Sequence, residues 1–130
     1  MRALIVEDDF TSRLILQQFL SRYGECHIAV NGKEAIKAFQ LAREGGAAYD
    51  LICMDIMMPE MDGQEALREI RKQEASARVP MANAVKIIMT TGLTGRKDVM
   101  NAYREQCDAY LLKPIDTNKL LESLRLFHLA

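Results

Sequence analysis

The sequence predicts an α/β fold: a single doubly wound domain built on a five-stranded parallel sheet in the order 2-1-3-4-5. Three observations predict it. Five strand-like segments alternate with five helix-like ones along 130 residues, the pattern of successive βαβ units. The strand-like segments are short and apolar, as expected where helices cover both faces of a sheet. Turn and cap residues fall between the segments, with no linker, repeat or low-complexity tract, so one domain spans 1–130.

Residues 3–6, ALIV, form the first strand. Residues 11–24 form a helix that places Phe10, Leu14, Ile15, Phe19 and Tyr23 near one face and stops at Gly24. CHIAV (26–30) is the second strand. Asn31 opens the next helix with Glu34 three residues on, a capping box, and Gly45-Gly46 closes it. DLICMD (50–55) is the third strand. Asp62 caps a third helix, with Glu65 three residues later and Leu67 and Ile70 facing inward. Residues 74–84 read as a polar, Ala-rich connection stopped by Pro80. VKIIMTT (85–91) is the fourth strand, 96–107 a helix with Val99, Met100 and Tyr103 inward, and AYLLK (109–113) the fifth strand. Asp116 or Thr117 starts a last helix reaching about Phe127. Its core stripe is Leu120, Leu121, Leu124 and Phe127, while Leu126 and Leu129 fall outside it and offer a partner surface.

Composition narrows the function. Hydrophobic residues make up 49% and charged residues 27%, enough apolar material for a core and too much for a disordered chain. The net charge of −1 provides no overall field toward nucleic acid or an anionic membrane. Arg68, Arg71, Lys72 and Arg78 read as a solvated helix face, with a phosphate-binding patch as the alternative. Cys26, Cys53 and Cys107 are odd in number and widely spaced, which suits free thiols in a reducing compartment. His27 and His128 suggest no metal cluster. No signal peptide and no apolar run long enough for a membrane span is present, so a cytoplasmic protein is expected.

In an open parallel sheet, ligands bind beyond the C-terminal strand ends at the switch in strand order, here between strands 1 and 3. Strand 1 ends in Glu7-Asp8-Asp9, strand 3 in Asp55, strand 4 in Thr90-Thr91-Gly92, and strand 5 in Lys113-Pro114. The topology therefore brings Asp8, Asp9, Asp55, Thr91 and Lys113 to one place. Crowded carboxylates repel, and a hard divalent cation compensates them; Mg2+, or Mn2+ in its stead, takes such oxygen ligands. A carboxylate beside a cation, a lysine and a hydroxyl is suited to accept a phosphoryl group as an aspartyl phosphate.

These residues resemble the response-regulator receiver family, the CheY-like, flavodoxin-like domains of two-component signalling. The resemblance covers essentially the whole chain and rests on Asp8-Asp9, on DIMMPEMDG (55–63), on Thr91-Gly92 and on Lys113-Pro114. It implies that Asp55 is the phosphoacceptor and that Asp9, Asp55 and the backbone carbonyl of Met57 bind the metal directly, with Asp8 acting through water. It implies that Lys113 contacts the phosphoryl group across a cis bond to Pro114, and that Thr91 and Tyr110 form the switch pair. Such a domain takes phosphate from a histidine kinase or a phosphotransfer protein. It catalyses only its own phosphorylation and slow autodephosphorylation, so it is a signalling switch and not an enzyme. Its output is expected at a surface made of the helix over 96–107, the fifth strand and the last helix, which meets a protein effector. A homodimer through that face is left open, and no direct DNA or membrane contact is expected. With little chain beyond the last helix, a stand-alone receiver, or one cut from a longer protein, is expected. The stretch from Asp55 to Thr91 is several residues longer than usual for the family, within 74–84. Met57 and Leu93 occupy positions that tune water access in the family, and neither orients water by hydrogen bonding.

Two other readings compete. A phosphohydrolase with an aspartyl-phosphate intermediate usually wants a second acid close after the nucleophile, where this chain has Ile56, Met57 and Met58. A flavin binder needs a phosphate-cradling loop after strand 1, where Glu7-Asp8-Asp9 would repel phosphate.

Overall fold

The computed structural model describes residues 1–58, 61–92 and 106–130. Five parallel strands form one sheet: β1 (Arg2–Val6), β2 (Glu25–Ala29), β3 (Leu51–Asp55), β4 (Lys86–Thr91) and β5 (Ala109–Leu112). Their order is β2-β1-β3-β4-β5, as the sequence predicts. Helices α1 (Phe10–Leu20), α2 (Gly32–Glu44) and α3 (Gly63–Ser76) and a C-terminal helix (Thr117–Leu126) accompany it. The helix predicted over 96–107 lies, up to residue 105, outside the described residues, as do Pro59 and Leu93.

Alternation along the strands sorts the core into two layers. Leu4, Val6, Ile52, Met54, Ile87 and Met89 meet Ala35 and Phe39 of α2 and Ala66, Leu67 and Ile70 of α3. Ala3, Ile5, Leu51, Cys53, Ile88 and Leu111 meet Leu16 and Leu20 of α1 and Leu120 and Leu124 of the C-terminal helix. Each such fully buried Leu or Ile contributes about 1.5–3 kcal/mol. Asn31 and Asp62 cap α2 and α3 by accepting the backbone N–H three residues on, at 2.9 Å each, and Asp116 rather than Thr117 caps the C-terminal helix.

Four expectations are corrected. First, only part of the expected α1 face turns inward: Leu16 and Leu20 are buried and Phe19 and Tyr23 pack on the core, while Phe10, Leu14 and Ile15 are exposed. The helix is apolar on two sides, and packing against β1, β3 and the C-terminal helix chooses between them. It also ends at Leu20, not Gly24. Gly24 serves a close approach instead: a side chain there would collide with the Met1 carbonyl, which accepts the Glu25 N–H at 3.0 Å.

Second, α3 runs through Ser76, into the predicted connection. Glu74 is buried there and accepts the Val85 N–H at 2.8 Å. Third, Arg71 is not part of a solvated face. Its guanidinium donates to Glu74 at 2.7 Å, to Asp108 at 2.9 Å and to the carbonyls of Val85 and Gln106. This pins the long α3–β4 segment to the N-terminal edge of the sheet, opposite the strand ends that carry the acids. Fourth, Leu129 folds back. Its N–H reaches the Leu124 carbonyl at 2.8 Å and its side chain packs on the core, whereas Leu126 is exposed as expected. No helix among the described residues is long and apolar enough to cross a membrane.

Candidate functional site

The register of the sheet builds the site. Val6 pairs with Met54 and Asp55 with Thr90, so Glu7, Asp55 and Thr90 stand side by side at the C-terminal edge of β1, β3 and β4. By alternation all three continue the face of Ile5, Cys53 and Ile88, which looks toward α1 and the C-terminal helix. Lys113 follows β5 by one residue and falls on the same face. Its ammonium lies 2.9 Å from Glu7 Oε1 and 3.3 Å from Asp55 Oδ2. The Lys113 N–H donates to the Thr91 carbonyl at 2.7 Å, and the Lys113–Pro114 bond is cis.

Asp55 is 4% exposed and Glu7 fully buried. The Met57 N–H donates to Asp55 Oδ1 at 3.3 Å. Just beyond, α3 begins hard against the acid: a side chain at Gly63 would collide with the Asp55 carbonyl, and the Gly63 N–H donates to Ile56 at 2.9 Å. The glycine that ends the DIMMPEMDG motif is therefore required by the approach of α3 to the Asp55 backbone.

Carboxylate oxygens of Glu7, Asp8 and Asp55 lie within 4.8 Å of one another. Burial pushes the Glu7 carboxyl above its ordinary range, against the pull of Lys113 and helped by the charge of Asp55. Burial likewise raises Asp55, again opposed by Lys113. Burial works against the Lys113 charge, but Glu7 and Asp55 outweigh it and hold that ammonium above its usual value. Three acids thus face one lysine, and Glu7 Oε2 is buried with no hydrogen-bond partner. An orphaned oxygen in an under-neutralised acid cluster fits a hard divalent cation.

The acids gathered beside Asp55 are Glu7 and Asp8, one residue earlier than the expected pair. Asp9 does not join the cluster: its carboxylate accepts the Ser12 N–H at 2.9 Å and caps α1, and that hydrogen bond holds its carboxyl below the usual carboxylate range. Its own N–H donates to Glu7 Oε1 at 3.1 Å. Glu7, which sequence reasoning passed over, takes the inner position. The signal that could have found it is strand register, since Glu7 and Asp55 are each the next residue after the Val6–Met54 pair.

Thr91 is fully buried at the end of β4, on the opposite sheet face from Thr90. Tyr110 is the register partner of Met89, two residues before Thr91, and packs on the α2–α3 side of the core. Thr91 and Tyr110 therefore share a face. Gly92 meets the Lys113 side chain only at ordinary van der Waals distance, 3.8 Å, so no close approach demands glycine there.

The sequence model of the response regulator receiver domain matches residues 3–125. The chain belongs to the response regulator receiver family. Among curated relatives of this receiver, a probable transcriptional regulator of Porphyra purpurea is 36% identical over 94% of the chain. The chain spans 54% of that relative's length. The chemotaxis protein CheY of Bacillus subtilis is 31% identical over 95% of the chain and 93% of its own length. Among solved structures, the receiver domain of the histidine kinase CKI1 from Arabidopsis thaliana, complexed with Mg2+ and BeF3−, has a TM-score of 0.80 at 33% identity, covering 98% of this chain and 89% of that one. The receiver domain of the response regulator Ssk1 of Saccharomyces cerevisiae, solved with the histidine phosphotransfer protein Ypd1, has a TM-score of 0.78 at 28% identity, covering 98% and 88%. The protein is thus a receiver of two-component signalling, a class of signalling switches, with the five-stranded parallel fold of that class.

Proposed function

We propose that this receiver accepts a phosphoryl group on Asp55 from a histidine kinase or histidine phosphotransfer protein, and that the modified site reshapes a distant surface to control a protein effector. The observation that carries the reading is Lys113, set between Glu7 and Asp55 in a row of buried acids at the switch in strand order. That arrangement leaves a nucleophilic carboxylate beside a cation and short of positive charge.

In the transfer, an Asp55 oxygen bonds to phosphorus as the donor's P–N or P–O bond breaks, and the donor leaves with the electron pair. Lys113 neutralises charge gathering on the phosphoryl oxygens. The Met57 N–H fixes the rotation of the Asp55 carboxylate. Glu7, Asp8, Asp55 and the Met57 carbonyl would hold Mg2+ or Mn2+, while Asp9 stays with α1. When bound, the ion neutralises phosphate charge that a single lysine cannot. Afterwards the Thr91 hydroxyl turns to the phosphoryl oxygens and Tyr110 follows into the space it leaves, a two-state element biased by local contacts. A shift from about 1:99 to 99:1 takes about 5.5 kcal/mol, within reach of a few hydrogen bonds to charge at about 1.5–3 kcal/mol each.

The exposed apolar residues Phe10, Leu14 and Ile15 lie on α1, directly after the acid loop, and suit a phosphodonor's helix face. We place the protein in the cytoplasm, where such donors act. Met57, half-exposed beside Asp55 and unable to orient water, supports a long-lived phosphoaspartate. Incubation with a small phosphodonor and Mg2+, followed by intact mass, tests the reading. One phosphoryl adduct, absent in Asp55→Asn, is expected; unmodified wild-type protein sinks it.

A further inference from the structure

Thr90 ends in an unexplained hydroxyl. The residue is 1% exposed, and Oγ1 is buried with no hydrogen-bond partner. A hydroxyl left unpaired in a core is disfavoured against an apolar group of the same shape. Valine is that shape, and the preceding β4 positions Ile87, Ile88 and Met89 are apolar. The hydroxyl is also not at a random place. Thr90 is the register partner of Asp55, one strand spacing away and on the same face of the sheet. On the far side of Asp55 stands Glu7, with the other orphaned oxygen of the row. Lys113, one strand further, reaches over Thr90 to Asp55 and Glu7.

In the resting arrangement both Asp55 oxygens have partners, Lys113 on Oδ2 and the Met57 N–H on Oδ1. Thr90 Oγ1 donates to neither of them. An incoming phosphoryl group changes that. Its oxygens draw the Lys113 ammonium off Oδ2, and that oxygen then lies in a buried site without a donor, beside the free hydroxyl.

We propose that Thr90 is a positioning residue for phosphoryl transfer: its hydroxyl donates to the Asp55 oxygen that Lys113 releases, holding the carboxyl group in line as the phosphorus–oxygen bond forms or breaks. The role rests on the phosphoryl-acceptor reading above. The contact is made only on leaving the resting state, and an interaction of that kind raises the rate of the step without tightening donor binding. Thr91, on the opposite face, is assigned to the phosphoryl oxygens, a different acceptor.

The test compares wild type, Thr90→Val and Thr90→Ser in the intact chain with Mg2+ and phosphoramidate. Phosphorylation rate is followed against donor concentration, with phosphoaspartate loss after donor removal and thermal midpoint alongside. Thr90→Val is expected to lower the saturating phosphorylation rate about tenfold, the low end for one hydrogen bond to charge. The donor concentration at half-rate should stay unchanged, and phosphoaspartate loss should slow in step, since the same bond is broken. Thr90→Ser should restore both rates, and the thermal midpoint of Thr90→Val should not fall, because only an orphaned hydroxyl is removed. Wild-type rates in Thr90→Val overturn the proposal, and so does a Thr90→Ser protein as slow as Thr90→Val, which would trace the effect to shape. A wild-type chain that takes up no phosphoryl group overturns the acceptor reading itself, and the role of Thr90 with it.

Discussion

Lys113→Met tests the electrostatics of the site without any phosphodonor. The substitution keeps much of the side-chain volume and removes the charge 2.9 Å from Glu7 and 3.3 Å from Asp55. Glu7 is fully buried and Asp55 nearly so. Deleting one partner of a buried ion pair costs about 3–5 kcal/mol. Here the abandoned acids can take up protons, which caps the loss, so about 3 kcal/mol is expected at pH 7. Both carboxyls already stand above their reference values of 4.5 and 3.8 through burial, and Lys113 is what pulls them back. Without it they rise further. The folded state of the variant then holds more protons than the unfolded chain from those reference values upward, and its stability falls as pH rises through the folded values. The deficit against wild type should therefore be largest at neutral pH and above and shrink toward pH 5. Urea unfolding reads it directly. With a slope of about 2 kcal/mol/M, the midpoint should drop by about 1.5 M at pH 7. Adding Glu7→Gln should recover part of the loss. A deficit under about 1 kcal/mol, flat from pH 5 to 8, would show that the acids are solvated or neutral already, and the reasoning about a charge-starved site would be wrong.

Other expectations follow from the same contacts. Mg2+ titration followed by thermal shift should show binding weakened about tenfold or more in Asp8→Asn and in Glu7→Gln, but little changed in Asp9→Asn, because Asn caps a helix as well as Asp; equal losses at Asp9 would restore the original acid pair. Gly63→Ala should cost about 2 kcal/mol or more and slow Asp55 phosphorylation, since its methyl group displaces the Asp55 carbonyl; calorimetry and phosphorylation kinetics check both. Glu74→Ala should cost about 2–3 kcal/mol in urea unfolding by stranding the Val85 N–H and removing one carboxylate partner of Arg71, yet leave the phosphorylation rate untouched at the far edge of the sheet. In the native protein a thiol reagent at pH 8 should spare Cys53, whose thiol burial pushes up to about 12; rapid labelling of Cys53 would count against the packed core.

The fold was legible because it is written in signals that local physics decodes. Apolar runs bounded by Gly, Asn and Asp mark strands and caps, and Asn31 and Asp62 cap helices where the spacing puts them. What tertiary packing decides was not legible. In α1, Leu14, Ile15, Leu16, Phe19 and Leu20 supply two apolar faces, and only the position of β1 and the C-terminal helix selects Leu16 and Leu20. Arg71 and Glu74 look like surface charges in sequence. Each is half of a network whose other members, Val85 and Asp108, lie far along the chain. Nothing local announces such a partner, so a helix of ordinary polar composition was cut short and its arginine set in water.

The candidate site turned on a single residue of register. Three acids, Glu7, Asp8 and Asp9, follow the strand, and the family resemblance rested on Asp8-Asp9. Their row in the sheet register distinguishes Glu7 from Asp9. A residue at the tip of β1 shares a face with Asp55 only if it stands in the same row, and the pairing of Val6 with Met54 puts Glu7 there. Asp9, two residues on, has entered the cap of α1, where the helix N–H groups satisfy it more cheaply than a metal would. The same row explains why Thr90 and Thr91, adjacent and alike, have different prospects. One faces Asp55 and the other faces the side of Tyr110. Position along a sheet edge, rather than residue type, therefore assigns each group its chemistry: Glu7, Asp55 and Thr90 share one face with Lys113, while Thr91 and Tyr110 on the reverse carry any change outward.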